Sequence, residues 1–291
     1  MTGSNPQPAA TTASKHNSPM IIPQPAELDF REGTFVLTSD TVLIAEGAAT
    51  ETATLLAESL RPATGFALPV AAEPGSARTQ IRFVLDSQET ARGPEAYRME
   101  VAPETVTITA ATPAGLFYGS QSLRQLLPPE ACAATLQSGI TWSAPCCRIA
   151  DGPRFGWRDL MFDSGHDFQH LSFLYRFIDA MALYKFNLLH WHLTDLGTWA
   201  VEILKHPGLI DPATRGPGVK QGHYTQEQIR EVVRYAAARN ITILPEIEMP
   251  GHAVAALLAR PDLRCPNNER IWEYCVGNED TFAFLEEVLD E

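Results

Sequence analysis

The chain has 291 residues, enough for about two domains, and its composition is ordinary for a globular protein, with 45% hydrophobic and 20% charged residues. Acidic residues outnumber basic ones by 35 to 22, and the net charge of −13 argues against binding nucleic acid or an anionic membrane through a basic face. No apolar run approaches the ~18 residues that a membrane span needs.

The first 19 residues are polar and rich in Ala, Ser, Thr and Pro. They lack the apolar core of a signal peptide, so we predict that residues 1–19 form a disordered tail. Because neither a signal peptide nor a membrane span is recognised, the cytoplasm is the default expectation for location.

Residues 20–147 are predicted to form a small α+β domain. Short runs rich in Val, Ile, Thr and aromatic residues are separated by Gly, Pro and Asp, which is typical of strands. Five such strands are predicted, at residues 34–38, 42–45, 81–85, 97–101 and 105–110. Helical spacing of apolar residues predicts helices at residues 53–60 and 114–127.

The next segment, with Pro145, Cys146 and Cys147, is interpreted as a linker. After it, strands alternate with helices, which is typical of a (β/α)8 TIM barrel. The predicted strands are residues 159–163, 187–195 and 241–248, and the predicted helices are residues 173–184, 225–239 and 280–291. Residues 148–291 therefore hold about three βα units, an incomplete barrel, since a complete one takes ~250 residues.

Five cysteines occur, at Cys132, Cys146, Cys147, Cys265 and Cys275, and none forms a CxxC pair. Their spacing indicates neither a zinc site nor a disulfide framework, so we expect them to serve in packing. A bridge between Cys265 and Cys275 stays open, because it depends on whether the protein reaches an oxidising compartment.

Two of the predicted strands end in groups suited to acid–base chemistry. Asp195 is the last residue of the second strand, and His252 follows the third after Pro250 and Gly251. Adjacent strand ends meet at the mouth of a barrel, where Gly251 would permit a sharp turn. Asp195 could then orient His252 and tune a nearby acid, although each could equally serve as a loop hydrogen-bonding group.

Other residues allow alternative interpretations. His190 and His192 share one face of a strand, but a third ligand at fixed spacing is lacking, so no metal is predicted. Glu246 and Glu248 resemble the carboxylate pair of a glycosidase, yet one strand places both on the same side of a substrate. Arg158 could bind sugar hydroxyls or form a surface ion pair. Trp199 could stack on a sugar ring, but a tryptophan in such a segment is more often core.

Several long blocks resemble the family 20 glycoside hydrolases, the β-N-acetylhexosaminidases. They are PAGLFYGSQSLRQLLP, DGPRFGWRDLMFD, FNLLHWHLTD, YTQEQIREVVRYAAARNITILPEIEMPGH and CVGNEDTFAFLEEVLDE. The resemblance covers nearly the whole chain from Met20. It implies an N-terminal α+β domain, a catalytic (β/α)8 barrel, and removal of terminal β-linked N-acetylhexosamine from an amino-sugar glycoside without a cofactor.

In this family the substrate's own acetamido carbonyl is the nucleophile, and configuration is retained. An adjacent Asp-Glu pair supplies the acetamido-orienting group and the general acid, in an HxGGDE motif after the fourth barrel strand. The chain contains no such motif, so we expect it to be an N-terminal portion that is inactive alone. Carried over, Asp195 and His252 would form a relay that tunes the acid, and Arg158 would bind the terminal sugar.

The chain departs from the family pattern at two places. Where the family commonly has an Arg soon after the first strand's Asp, this chain has His166, and where Trp-Arg is common it has Trp199 and Ala200. Two other functions stay open: a sugar-binding or assembly module without catalysis, and a retaining hydrolase that pairs Glu246 with Asp163. An unclosed barrel would also expose sheet edges, so self-association is expected.

Overall fold

The computed structural model describes residues 20–89, 92–214, 222–267 and 271–291, and the predicted disordered tail at residues 1–19 lies outside them. A seven-stranded mixed sheet and two helices make up the first half. These elements are β1 (Glu27–Val36), β2 (Val42–Ile44), α1 (Ala49–Thr64), β3 (Val70–Ala71), β4 (Gln80–Leu85), β5 (Tyr97–Val101), β6 (Thr105–Ala110), α2 (Pro113–Leu126) and β7 (Ser143–Asp151). The strand order is β1-β7-β5-β6-β4-β2-β3. All five predicted strands and both predicted helices are present, and the predicted α+β architecture is confirmed.

Two glycines allow α2 to pack closely on this sheet. A Cβ atom at Gly119 would lie 2.5 Å from Ile108 Cγ2 and 3.0 Å from Tyr97 Cδ2, and one at Gly115 would lie 2.7 Å from Ala110 Cβ and still closer to a backbone carbonyl of Ala96. Atoms cannot approach so closely, so α2 could not pack at this distance with larger residues there.

The interpretation of Pro145, Cys146 and Cys147 as a linker is wrong, because all three lie in β7. This strand pairs with β1 along its length but with β5 only from residue 147 onward. Pro145 therefore has a neighbouring strand on one side only, where the missing N–H of proline is tolerated. The boundary predicted between residues 147 and 148 falls inside this strand.

The second half begins a parallel barrel. Its elements are β8 (Asp159–Asp163), α3 (Leu171–Leu183), β9 (Leu188–His192), β10 (Thr194–Asp195), β11 (Thr198–Trp199), α4 (Gln226–Ala237), β12 (Thr242–Glu246), α5 (Val254–Ala259) and α6 (Glu279–Asp290). Strands β8, β9 and β12 form one parallel sheet with β9 in the centre, while β10 and β11 form a short hairpin. The prediction of an incomplete barrel with three strands is confirmed, and α5 and the hairpin were not foreseen.

The two faces of the parallel sheet differ. On one face, Phe162 packs against Phe177 of α3 with ring centroids 5.0 Å apart, and Trp191 packs against Tyr224 at 4.8 Å. On the other face, Met161 and Leu244 are 54% and 41% exposed. Because a barrel encloses one face of its sheet, the face with Met161 and Leu244 corresponds to the barrel interior.

A buried ion pair joins the two halves. The Lys185 ammonium, in the loop between α3 and β9, donates to Asp151 Oδ2 and to Tyr97 Oη, each at 3.0 Å. Burial is the largest cause of a lowered pKa at Lys185 and of a strongly raised pKa at Tyr97. The end of β7 is therefore fixed against the start of the second barrel strand.

The cysteines divide into a bridged pair and three free thiols. Cys265 and Cys275 are joined by a disulfide. Cys146 and Cys147 are buried as expected, whereas Cys132 is exposed and does not serve in packing. Among the described residues, no helix is both long enough and apolar enough to cross a membrane.

Candidate active site

Acidic and imidazole groups collect where the three parallel strands end. Asp163 ends β8 and His166 follows it, Asp195 lies in the hairpin directly after β9, and Glu248 and His252 follow β12. Because the three strands are parallel and adjacent, these ends lie side by side at the carboxyl edge of the sheet, where barrel enzymes place catalytic groups.

Asp195 lies at the centre of this cluster and is only 5% exposed. Its Oδ2 lies 3.3 Å from His192 Nε2 and 3.4 Å from His166 Nε2, and its Oδ1 lies 3.4 Å from His252 Nδ1. The backbone N–H of Leu196 donates to Oδ1 at 2.5 Å. One buried carboxylate therefore faces ring nitrogens of three histidines.

The structure brings Asp195 and His252 together, as the sequence predicts, while their role as a relay stays a prediction. Glu248 shares this contact, because its Oε1 accepts from His252 Nδ1 at 3.2 Å. The predicted sharp turn occurs one residue later than Gly251. The left-handed residue is His252, with φ of 50°, and Gly251 does not have a positive φ.

Asp163 and His166 form a second acid–imidazole pair. The backbone N–H of His166 donates to Asp163 Oδ1 at 2.9 Å, and the ring Nδ1 lies 2.8 Å from Oδ2. This bond to Asp163 raises the pKa of His166, with smaller contributions from the charges of Asp195 and Glu248. Partial burial acts to raise the pKa of Asp163, but the bonds from His166 outweigh it and lower that pKa.

His192, Asp195 and Glu248 each offer a ligand atom, and these atoms all lie within 4.8 Å of one another. Metal coordination requires a nitrogen lone pair. The Nε2 atom of His192, however, lies 2.5 Å from the carbonyl oxygen of Thr194. A carbonyl only accepts, so this nitrogen carries the proton and cannot be a ligand in this arrangement. The three side chains are therefore close together, but in this arrangement the His192 nitrogen nearest the two carboxylates is not free to coordinate a metal.

Glu246 is separate from this cluster. Its carboxylate contacts His190 Nε2, on the interior face of the sheet. Asp163 lies in β8 and Glu246 in β12, with β9 between them, so two strand spacings of ~4.8 Å separate their backbones.

Trp199 is 3% exposed and belongs to the core, which leaves no ring surface for stacking on a sugar.

The position of Arg158 corrects its predicted role. It precedes β8, at the opposite end of the strands from Asp195. Its guanidinium contacts the Glu95 carboxylate and donates to the carbonyl oxygens of Phe155 and Lys185, both at 2.8 Å. Arg158 therefore joins the two halves of the chain and is not a ligand for a sugar held at Asp195.

Three members of the cluster were not predicted as site residues. His166 was noted only as a departure from the family pattern, His192 only as half of an unlikely metal pair, and Glu248 only as half of a carboxylate pair. The available signal was positional, since each lies within a few residues of the carboxyl end of a parallel strand.

Comparisons with known proteins agree with this geometry. The family model described as glycosyl hydrolase family 20, catalytic domain, matches residues 155–291, and the model described as glycosyl hydrolase family 20, domain 2, matches residues 18–152. The chain belongs to glycosyl hydrolase family 20. The two matches meet just after β7, and the cluster around Asp195 lies wholly within the catalytic-domain match.

Two curated family 20 relatives are similar over almost the whole chain. A β-hexosaminidase of Porphyromonas gingivalis is 36% identical over 93% of this chain and 36% of its own length. A β-N-acetylhexosaminidase of Cellulomonas fimi is 36% identical over 92% of this chain and 53% of its own length. The chain thus spans about half or less of the curated relatives that it matches here.

Solved family 20 structures share the fold. The β-N-acetylhexosaminidase of Streptomyces coelicolor superposes with a TM-score of 0.83 and 36% identity over 92% of this chain and 56% of that one. The Streptomyces plicatus enzyme in complex with thio-NAglucal gives 0.83 and 35% over 94% and 56%. The described strands are therefore the beginning of a family 20 barrel.

Proposed function

We propose that this chain supplies the first part of the active site of a β-N-acetylhexosaminidase, which releases terminal β-linked N-acetylhexosamine with retention of configuration. The observation that carries the proposal is the contact of 3.4 Å between Asp195 Oδ1 and His252 Nδ1 at the carboxyl ends of the barrel strands. A buried carboxylate beside an imidazole can set the protonation of an acid placed against them.

The names of the similar proteins, and the ligand bound in one solved structure, support an amino-sugar substrate. The relatives are named β-hexosaminidases, and one Streptomyces plicatus structure holds the product GlcNAc. The substrate's own acetamido group would act as the nucleophile. The general acid would have to come from outside the 291 residues, since they contain no HxGGDE motif. Loss of a general acid typically lowers the rate by about 10²–10⁴-fold.

The proposal is tested by assaying the purified chain on a chromogenic β-GlcNAc glycoside, beside a chimera in which the remainder of the Cellulomonas fimi relative's barrel follows Glu291. We expect release of GlcNAc only from the chimera. Release by the 291-residue chain alone would mean that the acid lies within it, and Glu246→Gln would then identify or exclude the alternative pair of Glu246 with Asp163.

A sugar-binding function without catalysis is the second candidate. It is favoured by the cluster around Asp195, which presents carboxylate and imidazole groups at the carboxyl ends of the strands. Calorimetric titration of the 291-residue chain with GlcNAc tests it. Saturable heat at millimolar sugar would support the candidate, and a flat titration would remove it.

We also propose that the chain pairs with a second copy of itself. Among the described residues, β8 and β12 each pair only with β9, so each has one open edge. Open strand edges beside exposed apolar side chains such as Met161 and Leu244 favour strand pairing between copies. Light scattering after size exclusion should show mass rising with concentration, and a constant monomer mass would contradict the proposal.

A further inference from the structure

His166 lies between two carboxylates from different strands. Its Nδ1 is 2.8 Å from Asp163 Oδ2, and its Nε2 is 3.4 Å from Asp195 Oδ2. A carboxylate only accepts, so both ring nitrogens can face these oxygens favourably only when both carry protons. The arrangement is therefore suited to the charged imidazolium form of His166.

The turn that carries His166 is held from several sides. The Ser164 backbone N–H donates to the His192 carbonyl at 2.9 Å, and the Ser164 hydroxyl lies 3.0 Å from Tyr224 Oη and accepts from Trp191 Nε1 at 3.0 Å. The Thr198 hydroxyl donates to the carbonyl of Gly165. Although the His166 side chain is 67% exposed, its backbone position is thus fixed beside β9.

Gly165 allows this close approach. A Cβ atom there would lie 3.0 Å from Cδ2 and 3.1 Å from Nε2 of His192, and 3.1 Å from the carbonyl carbon of Thr194. Such distances are tighter than almost all real contacts of a Cβ atom, so a larger residue would displace the turn or the His192 ring. The contact between His166 and Asp195 therefore depends on a local backbone that only glycine fits without adjustment.

We propose that His166 is a positioning residue of the candidate site, which as a charged imidazolium bridges Asp163 and Asp195 and restrains the Asp195 carboxylate. When the ring loses a proton, the shorter contact with Asp163 retains the hydrogen on Nδ1. The Nε2 lone pair then faces Asp195 Oδ2, and the restraint becomes a repulsion. The groups that face His166 are Asp163, Asp195, Glu248 and the edge of the His192 ring, whose centroid is 5.9 Å away.

The meaning of this bridge for catalysis rests on the proposed function. The bridge gives the Asp195 carboxylate a conformation that changes with pH. The raised pKa of His166 agrees with the contacts that bridge it to two carboxylates. Asp195 faces His252 through its other oxygen, so a change on the His166 side would alter the orientation of the predicted relay.

The test is an NMR titration of the histidine rings in the 291-residue chain, in Asp163→Asn and in Asp195→Asn. Asparagine keeps an oxygen for the backbone N–H of His166 or Leu196 while it removes the charge. We expect the His166 pKa to fall by about half a unit or more in each variant. His206, which contacts Glu287 outside the cluster, is the internal control, and its chemical shifts at each pH should be the same in all three proteins.

If the His166 pKa fell in Asp163→Asn but not in Asp195→Asn, the proposed bridge would be overturned. If Asp195→Asn does not fold, the wild-type ring decides: ¹⁵N shifts above the pKa should show the remaining hydrogen on Nδ1, and a hydrogen on Nε2 would overturn the proposal. Neither readout uses a sugar. Failure of the chimera to release GlcNAc would therefore count against the proposed function and leave the bridge standing.

Discussion

The Lys185 ammonium lies 3.0 Å from the Asp151 carboxylate across the junction between the seven-stranded sheet and the barrel strands, with side chains that are 8% and 12% exposed. Tyr97, which also accepts from Lys185, lies 2.6 Å from the Ser122 hydroxyl. Every member of this network is buried, so the charges depend on each other.

Replacing Lys185 by Met should therefore destabilise the protein strongly. The substitution keeps a long side chain but leaves Asp151 charged, buried and without its cation, which typically costs about 3 kcal/mol or more. Urea unfolding measures the loss. The matched control is Arg31→Met, which removes an exposed pair with Asp29 and should cost less than about 1 kcal/mol. Equal losses in the two variants would contradict the role given to the buried pair.

Gly119→Ala tests the close packing of α2. In an exposed helix this change usually stabilises by about 1 kcal/mol, but here the new Cβ would meet Ile108 and Tyr97 at 2.5 and 3.0 Å. Overpacking of this kind costs about 1–3 kcal/mol, so we expect a net loss in urea unfolding. Gly156→Ala is the control, because nothing lies within 4 Å of its Cβ and its φ is not positive. A more stable Gly119→Ala would show that the helix can shift outward without loss.

Regular elements were predictable because their patterns are local. The helix predicted at residues 225–239 and the strand predicted at residues 159–163 depend on near neighbours, and both are found as α4 and β8. The two predictions that were wrong depend on residues distant in sequence. Pro145 is compatible with a strand because β5 does not pair with β7 at that position, and the guanidinium of Arg158 is already bound by Glu95. The cluster around Asp195 was half predicted, because a sequence shows which residues end strands but not which side chains turn toward each other.

Thr225→Ala tests the start of α4. The Thr225 hydroxyl accepts from the Gln228 N–H at 3.2 Å, and Gln228 Oε1 accepts from the Thr225 N–H at 2.9 Å, and the two bonds together form a capping box. Removing the hydroxyl should cost about 1 kcal/mol of unfolding free energy. Thr225→Ser, which retains the hydroxyl, should recover most of it. If alanine and serine behaved alike, the lost stability would come from the methyl group.

Asp195→Asn, made in the chimera with the Cellulomonas fimi barrel, tests the predicted relay. Asparagine can still accept from the Leu196 N–H but removes the charge that faces three imidazoles. We expect kcat to fall at least about tenfold, equivalent to about 1.4 kcal/mol of barrier, with a smaller change in KM. Asp29→Asn, an exposed change in β1, should leave both unchanged. An unaffected kcat in Asp195→Asn would remove Asp195 from the relay.

His166→Gln should change how stability depends on pH. The pKa of His166 is raised above 6.5, so its charged form contributes stability that is complete below pH 6.5 and is lost as the pH rises through the raised pKa. The pKa of Asp163 is lowered below 3.8, so its contribution is complete above pH 3.8 and is lost as the pH falls through the lowered pKa.

The difference in unfolding free energy between wild type and His166→Gln should therefore be largest between about pH 4 and pH 6.5 and should shrink on either side. Urea titrations at five pH values measure it. Gln169→Asn is the control, since the sequence neighbour Asp167 accepts the hydrogen bonds that the Gln169 side chain makes within the described residues, and its difference from wild type should stay flat. A difference for His166→Gln that persists unchanged at pH 9 would show that the neutral ring contributes as much as the charged one, and the interaction would then be packing and not charge.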